Sequence, residues 1–273
     1  MTRFSWFNAT SLTLGFAFLY LPMLILIIYS FNESKLVTVW AGFSTRWYGE
    51  LIRNEAFLDA AWVTLKVAVF SSTIATVLGT MAAYVMVRGG RFFGRTLFSG
   101  MIYAPLVMPE VITGLSLLLL FIGIGLDRGI LTVVLAHTTF SMCYVSVVVS
   151  SRLVTFDRSL EEAALDLGCT PFAAFRLVTL PIIAPAVISG WLLAFTLSLA
   201  DLVLASFPTG PSATTLPIKI FSAVRLGVSP EINALSTILI GIVTVGVVSA
   251  SLVSKRAIVQ RQREEQAAVK AVA

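Results

Sequence analysis

Six long apolar stretches constrain what this chain can fold into more than any other feature of its sequence. Five of them contain no charged residue: 9–31, 67–87, 130–151, 182–200 and 232–254. A sixth, 96–126, is interrupted by a single acid, Glu110. A helix needs about 20 apolar residues to cross the bilayer core, and every stretch comes close to or exceeds that length. The sequence therefore predicts an all-α integral membrane protein of one domain, 1–273, with six transmembrane helices at about 9–31, 62–87, 96–125, 130–151, 182–205 and 232–254.

The distribution of positive charge predicts the orientation of these helices. One set of loops contains twelve lysines and arginines: Arg3, Arg88, Arg91, Arg95, Arg152, Arg158, Arg176, Lys255, Arg256, Arg261, Arg263 and Lys270. The opposite set contains six: Lys35, Arg46, Arg53, Arg128, Lys219 and Arg225. Because basic loops remain on the cytoplasmic side, both termini and the loop 152–181 are expected in the cytoplasm. The net charge of +5 then reflects topology and gives no reason to expect a nucleic-acid partner.

The loop 152–181 carries signals for two short helices. Ser159 followed by Glu162 predicts a capping box, and Glu161 and Glu162 place negative charge beside the positive end of the first helix, with Asp166 further along it. Gly168 can adopt the positive φ that ends a helix. Thr170 before Pro171 predicts the start of a second helix.

The end of the second helix is predicted at Leu180 and Pro181, where the chain would meet the membrane. Ala163 and Ala164 belong to one apolar strip on the loop, and Phe172 and Phe175 to another. Local chemistry leaves two interpretations open. The loop either packs beneath its own helical bundle or presents a rigid surface to a soluble partner.

The spacing within this loop favours the second interpretation. The stretch "EAALDLGCTPFAAFRLVTLP" resembles the EAA signature of permease subunits of bacterial ATP-binding-cassette (ABC) importers: EAA, three residues, Gly, nine residues, Ile, one residue, Leu-Pro. Val178 stands in the isoleucine position. The resemblance implies a MetI-like, type I permease fold and a coupling loop that docks on an ATPase. The implied coupling residues are Ser159, Glu161, Glu162, Ala163, Ala164, Asp166, Gly168, Thr170, Pro171, Phe172, Phe175, Leu180 and Pro181.

Further stretches are similar to the polyamine group of these permeases, among them "APLVMPEVITGLSLLLLF", "SGWLLAFTLSLADLVLASF" and "GPSATTLPIKIFSAVRLGVSPEINALST". The resemblance implies import of putrescine or a related polyamine by alternating access across the bacterial inner membrane. It also implies a second permease subunit, two ATPase subunits that use ATP and Mg²⁺, and a periplasmic polyamine-binding protein. No cofactor is expected on this chain. The group commonly carries two adjacent acids where this chain has Ala200 and Asp201.

A polyamine pathway needs polar or anionic groups, because a charge at the bilayer centre costs at least about 2.5–3.5 kcal/mol. The acidic candidates are Glu110, beside Pro109 in the predicted helix 96–125, and Asp201, near the end of the predicted helix 182–205. Each could instead make a structural bond or cap. Tyr103, Thr113, Trp191 and Ser198 lie on the same stretches and are weaker candidates. His137 is expected to form a hydrogen bond across helices, with a proton relay as the alternative.

Several activities lack their sequence signatures. There is no GxxxxGK[ST] phosphate-binding loop, so the chain is not expected to hydrolyse ATP. With one histidine and no Cys/His/Asp cluster, no metal site is expected, and there is no nucleophile motif. Two alternatives remain: a permease for another small cationic or amino-acid-like solute, and a stand-alone channel or secondary transporter.

Overall fold

The computed structural model describes residues 6–36, 39–227 and 230–245. In these residues the regular secondary structure is helical, with one isolated antiparallel bridge between Asn32 and Phe43. The chain divides into two compact units, one comprising 1–55 with 223–273 and the other comprising 56–222.

The first unit contains α1 (Trp6–Tyr29), α2 (Arg46–Arg53) and α12 (Pro230–Val245). Asn32, which is fully buried, organises the segment between α1 and α2. Its amide nitrogen donates to the Val39 carbonyl (2.7 Å), its side-chain oxygen accepts from the Ala41 N–H (3.0 Å), and its backbone carbonyl accepts from the Trp47 indole N–H (2.6 Å). At the end of α2, the Asn54 amide donates to the Glu231 carboxylate (3.1 Å) and so ties α2 to α12.

The second unit is built around three long helices, α3 (Glu55–Arg88), α6 (Ile130–Thr155) and α9 (Leu180–Ala200). The α6 and α9 helices pack along one another around a buried cluster that includes Val145, Val149 and Ile183. Two glycines permit other helices to approach α6 closely, Gly79 from α3 and Gly190 from α9. A Cβ added at Gly79 would lie 2.7 Å from the Met142 carbonyl oxygen, and one at Gly190 would lie 3.2 Å from a Val145 methyl. Small residues at helix contacts are typical of membrane bundles.

The apolar stretch 96–126 is divided into two helices, α4 (Arg95–Val107) and α5 (Glu110–Gly123). The chain bends by 118° between them. The sequence predicted one transmembrane helix over 96–125, and the observed break corrects that prediction. Met108 is extended (φ −74°, ψ 139°) because the ring of Pro109 disfavours helical backbone at the preceding residue. The pair therefore forms a broken span or a re-entrant loop.

The spans of the described residues can be compared with the six that the sequence predicted. Four helical segments are long and apolar enough to cross a membrane: Trp6–Tyr29, Glu55–Arg88, Ile130–Thr155 and the continuous Pro171–Ala200. The bent α4–α5 pair provides a fifth if it counts as one span. The predicted sixth span, 232–254, is described as far as Val245 within the apolar α12, and 246–254 lies outside the described residues.

Between α6 and α9 lie α7 (Ser159–Asp166), α8 (Pro171–Ala174) and a π-helical turn (Phe175–Thr179). The α8 helix, the π turn and α9 run on without a break, so the prediction that Leu180 and Pro181 end the second loop helix was wrong. Pro181 has no N–H to bond a carbonyl of the preceding turn, and the wider π turn just before it lets the chain pass the proline without ending the helix. Two short helices, α10 (Val203–Ser206) and α11 (Leu216–Leu226), follow α9.

Candidate functional site

The first loop helix, α7, begins differently from the sequence prediction. Ser159 makes no side-chain capping bond, so the predicted capping box is wrong. The cap comes instead from Asp157, whose carboxylate accepts from the Ser159 backbone N–H at 3.0 Å. The hydrogen bonds from the Ser159 backbone and side chain hold the pKa of Asp157 below its ordinary value. Glu162 forms an exposed ion pair with Arg158 (3.1 Å) instead of completing a capping box.

The turn between the two loop helices matches the prediction. Gly168 has φ +89°, in the left-handed region that favours glycine. The Gly168 N–H donates to the Leu165 carbonyl (2.9 Å), and the Cys169 N–H donates to the Ala164 carbonyl (3.1 Å), which ends α7. The Thr170 hydroxyl accepts from the Ala173 N–H (3.2 Å), with Pro171 at the first helical position. Both predicted caps around this turn are confirmed.

The loop presents one part of the predicted coupling set to solvent and turns the other part inward. The exposed members are Ser159, Glu162, Ala163, Asp166, Gly168, Thr170, Pro171, Phe172 and Pro181. Ala164 is buried, and Phe175 and Leu180 are half-buried. Ala163 and Ala164, placed on one strip by the sequence, therefore differ in exposure. Leu167 and Phe172 are 86% and 73% exposed, so α7 and the start of α8 carry an apolar surface with an acidic border.

Glu161 lies inside the loop, although its sequence neighbour Glu162 is exposed. Its side chain is only 10% exposed, and each carboxylate oxygen has a partner on a different helix. Oε1 accepts from the Thr179 hydroxyl in the π turn at 2.7 Å. Oε2 lies 3.0 Å from Nε of Arg88, the last residue of α3. The N–H of Arg88 does not align on the oxygen as a hydrogen bond would, so this contact is an ion pair by proximity.

Arg88 extends this arrangement to the end of α6. One of its terminal nitrogens donates to the Phe156 carbonyl (3.2 Å), and its guanidinium lies 5.4 Å from the Phe156 ring centroid. We refer to Arg88, Phe156, Glu161 and Thr179 as the loop-end cluster. Beside it lies a cavity of about 110 Å³, lined in part by Tyr84, Arg158 and Glu162. From the sequence, Arg88 was expected only to contribute to the positive charge of the cytoplasmic loops. Its position at the end of a charge-free stretch was the one available signal.

A second buried polar cluster lies at the opposite end of α6 and α9. His137 of α6 is 2% exposed; its Nδ1 is 2.6 Å from the Ser198 hydroxyl, and its Nε2 is 3.0 Å from a carboxylate oxygen of Asp201. Ser198 also accepts from the Ser71 hydroxyl of α3 (3.2 Å). We refer to these four residues as the far-end cluster. It confirms the predicted hydrogen bond of His137 across helices.

Asp201 also terminates one helix and starts the next. It is the C-cap residue of α9, and its carboxylate accepts from the backbone N–H groups of Leu204 (3.2 Å) and Ala205 (2.7 Å) at the start of α10. Asp201 thus forms the capping bonds that were expected as the alternative to a pathway role. Two of the six predicted pathway residues, Asp201 and Ser198, are brought together through His137.

The other four predicted pathway residues lie elsewhere. Glu110 is exposed in the first turn of α5, and the Thr113 hydroxyl bonds the Pro109 carbonyl of its own helix (3.4 Å). Tyr103 is half-buried on α4. Trp191 donates to the Thr73 hydroxyl (3.2 Å) and stacks on Phe195 at 5.1 Å. Within the described ranges no hydrogen bond or ion pair joins these four side chains to the far-end cluster, and no group of three metal-ligating side chains occurs there.

The chain belongs to the family of binding-protein-dependent transport system inner membrane components, whose model matches residues 75–264. It is 60% identical over 263 residues to the putrescine transport system permease protein PotI of Escherichia coli, covering 94% of each chain. It is 44% identical to the spermidine/putrescine transport system permease protein PotC of the same organism, over 89% of this chain and 92% of the relative.

Solved structures show the same fold. A bacterial ABC transporter involved in the import of the acidic polysaccharide alginate matches with a TM-score of 0.68 at 17% identity, over 90% of this chain and 93% of the other. An amino acid ABC transporter crystallised with histidines matches with a TM-score of 0.57 at 18% identity, over 77% and 98%. The chain is therefore a multi-pass inner-membrane permease subunit of an ABC importer, a class whose ATP hydrolysis is performed by separate subunits.

Proposed function

We propose that this permease moves putrescine or a closely related polyamine into the cytoplasm. The observation that carries the proposal is the 60% identity to a putrescine permease over 94% of both chains. The chemistry of the helices is compatible with it, because the far-end cluster holds a carboxylate, Asp201, at the end of α9. A polyamine is a multiply charged cation, so its path must offer anionic or polar groups.

We further propose that the chain works in a complex with a second permease subunit, two ATPase subunits that use ATP and Mg²⁺, and a periplasmic polyamine-binding protein. The exposed surface of α7 and α8, with Leu167, Phe172 and the bordering Glu162, suits docking of an ATPase. The distribution of basic residues supports a cytoplasmic position for this loop and for both termini. Closure of the ATPase dimer would then move the loop and reorient the helices by alternating access.

The proposed pathway contains two acidic residues, Asp201 and Glu110. Asp201 and Ser198 belong to the far-end cluster, where Asp201 keeps 15% of its side-chain surface accessible. Glu110 is exposed at the α4–α5 break and is the second acidic candidate. Tyr103, Thr113 and Trp191 are proposed as neutral lining. An Asp201→Asn variant that assembles normally and yet transports poorly would support the pathway role.

A second cargo is supported by one observation. Asp201 is preceded by Ala200, so only one negative charge is present where the polyamine group commonly has two. A permease for another small cationic or amino-acid-like solute, with fewer positive charges, would need fewer acids along its path. This alternative keeps the same complex and the same coupling loop, and it differs only in what is carried.

The test is uptake of labelled putrescine by cells that lack this subunit, with and without the gene restored. Unlabelled spermidine, arginine and an uncharged solute serve as competitors. Uptake that returns with the gene and is blocked only by polyamines supports the proposal. Uptake that is blocked by arginine instead favours the second cargo. A restored complex that retains its ATPase and moves neither putrescine nor arginine refutes both cargo proposals.

A further inference from the structure

We propose that Arg88 and Glu161 form a positioning pair that makes the coupling loop move as one body with the ends of α3, α6 and α9. The proposal rests on the proposed coupling function and adds a role for two residues within it. In this role Glu161 does not contact the ATPase; its exposed neighbour Glu162 faces outward instead.

Glu161 connects several helical segments of the chain. One carboxylate on α7 reaches two other elements at once, through the Thr179 hydroxyl at 2.7 Å and the Arg88 guanidinium at 3.0 Å. Arg88 in turn bonds the Phe156 carbonyl where α6 ends. Four separate helical segments are therefore connected through one carboxylate and one guanidinium, without any apolar contact being required.

The charged side chains of the Arg88–Glu161 pair are largely buried. The side chains of Arg88 and Glu161 are 12% and 10% exposed, so both charges have lost most of their hydration. Desolvation of a buried pair offsets much of its attraction, and apolar residues of the same volume would stabilise the fold as well or better. What a buried ion pair adds is a defined geometry, since any other arrangement leaves a charge without a partner.

The Arg88–Glu161 pair lies between the exposed face of α7 and the membrane-spanning helices. The exposed face of α7 is available to a docking subunit, while Glu161 extends from the opposite face of the same short helix toward the spans. A displacement of α7 must move Arg88 with it or separate two buried charges. Because separation is costly, the displacement is transmitted to α3 and, through Phe156 and Thr179, to α6 and the start of α9.

The experiment uses the purified complex of both permease subunits and the ATPases, reconstituted in proteoliposomes. Binding protein loaded with putrescine is supplied to the complex as the source of solute. Glu161→Ala removes the pair, Glu161→Gln retains the acceptor for Thr179, and Glu162→Ala is the matched control on the exposed face. The readouts are retention of the ATPase, ATP hydrolysis, and solute transported per ATP hydrolysed. A merely structural role would lower the amount of complex and leave that ratio unchanged.

We expect the Glu161→Ala complex to retain its ATPase and to hydrolyse ATP, with solute transported per ATP lowered about tenfold, within the range of known coupling energies. Glu161→Gln should give an intermediate ratio. Glu162→Ala should weaken retention of the ATPase, because it removes a group from the proposed docking surface. The proposal would be overturned if Glu161→Ala left the ratio of solute to ATP unchanged. It would also be overturned if Glu161→Ala only weakened retention of the ATPase, as expected for Glu162→Ala.

A second measurement does not depend on the cargo. In the full complex, Cys143→Ser and Cys169→Ser remove the two native thiols of this chain. Leu167→Cys, beyond α7, and Met81→Cys, on the exposed side of α3, carry the spin labels. We expect one narrow distance distribution in the parent that broadens in Glu161→Ala. If the labelled parent hydrolyses ATP without stimulation by putrescine, the polyamine proposal fails, and the distance distributions still decide the role of the pair.

Discussion

The two ends of the α6–α9 bundle each bury a carboxylate, and they hold it in different ways. In the loop-end cluster, Glu161 contacts a guanidinium and a hydroxyl, and both partners are side chains on other helices. In the far-end cluster, Asp201 contacts an imidazole on α6, and its remaining bonds come from backbone N–H groups of the adjacent α10. The first carboxylate joins distant segments of the chain, and the second mainly starts a local helix.

This difference predicts which of the two carboxylates can tolerate the loss of a partner. Arg88 carries a permanent charge, so removing either member of its pair leaves an isolated buried charge. Asp201 would keep two backbone donors and some solvent contact without His137. The loop-end cluster is therefore expected to behave as a rigid connection and the far-end cluster as a more adaptable one.

The largest expected effect is at the loop end. Arg88→Met leaves Glu161 buried without its cation and should lower the free energy of unfolding by about 3–5 kcal/mol. The double variant Arg88→Met with Glu161→Leu should recover at least half of that loss, because no buried charge remains. Denaturation of the purified subunit in detergent gives both values, and a double variant less stable than Arg88→Met would contradict the argument.

A change between the two clusters should disturb both of them. Gly79→Val places a Cβ within about 2.7 Å of the Met142 carbonyl oxygen and should push α3 away from α6, at a cost of about 1–3 kcal/mol. Gly100→Val on α4 is the control, since a Cβ there meets no atom within 4 Å. Thermal denaturation of the two variants compares them. Equal melting temperatures would show that α3 and α6 are not closely packed at Gly79.

The far end should lose less than the loop end. His137→Ala removes the contacts to Ser198 and Asp201, but the backbone donors to Asp201 remain, so we expect a loss of about 1–2 kcal/mol. Thr139→Ala is the matched control on α6, because its hydroxyl bonds only a carbonyl of its own helix. Denaturation under the conditions used for Arg88→Met measures the difference. A loss as large as that of Arg88→Met would end the distinction between the clusters.

Within the loop, the turn between its two helices can be tested separately from the loop-end cluster. Gly168→Val forces a β-branched residue to a positive φ and should cost about 1–2 kcal/mol locally. We expect membrane insertion to be normal and uptake to be abolished. Gly168→Asn is the control, since asparagine tolerates this backbone region. Normal uptake by the valine variant would indicate that the shape of the turn does not matter for coupling.

The smallest effect concerns the cap of α7. The pKa of Asp157 is lowered in the folded protein, so its capping contribution is present above the ordinary carboxyl pKa and is lost as pH falls through the lowered value. Asp157→Asn should speed hydrogen exchange at the start of α7 near neutral pH, and the difference from the parent should disappear in acid, once pH has fallen below the lowered pKa of Asp157. A difference that persists in acid would point to a cause other than the charge.

The sequence predicted the class of fold because long apolar stretches and capping residues act locally. Gly168, Thr170 and Pro171 behave as predicted since each determines the backbone within a few residues. Three predictions failed for reasons that local patterns do not contain. Asp157 caps α7 in place of Ser159, and a π turn lets the helix continue past Pro181. The single helix predicted over 96–125 breaks at Met108, before Pro109.

The candidate site was less accessible to prediction than the fold. The motif identified the loop, but not which acid of the Glu161–Glu162 pair faces inward, because that depends on a partner at Arg88, 73 positions earlier in the chain. The connection between His137 and Asp201 likewise required α6 and α9 to be placed side by side. Both pairings result from tertiary packing, which determines partners across long sequence separations.

The π turn at Phe175–Thr179 sets the rotational phase between the coupling loop and α9. Each residue of an α-helix advances the side-chain direction by about 100°, and a π turn absorbs one extra residue. Thr179 is the last residue of that turn and faces Glu161 only in the present phase. Deletion of a single residue from the turn would thus leave the composition of the loop almost unchanged and rotate its docking face by more than a quarter turn about the helix axis.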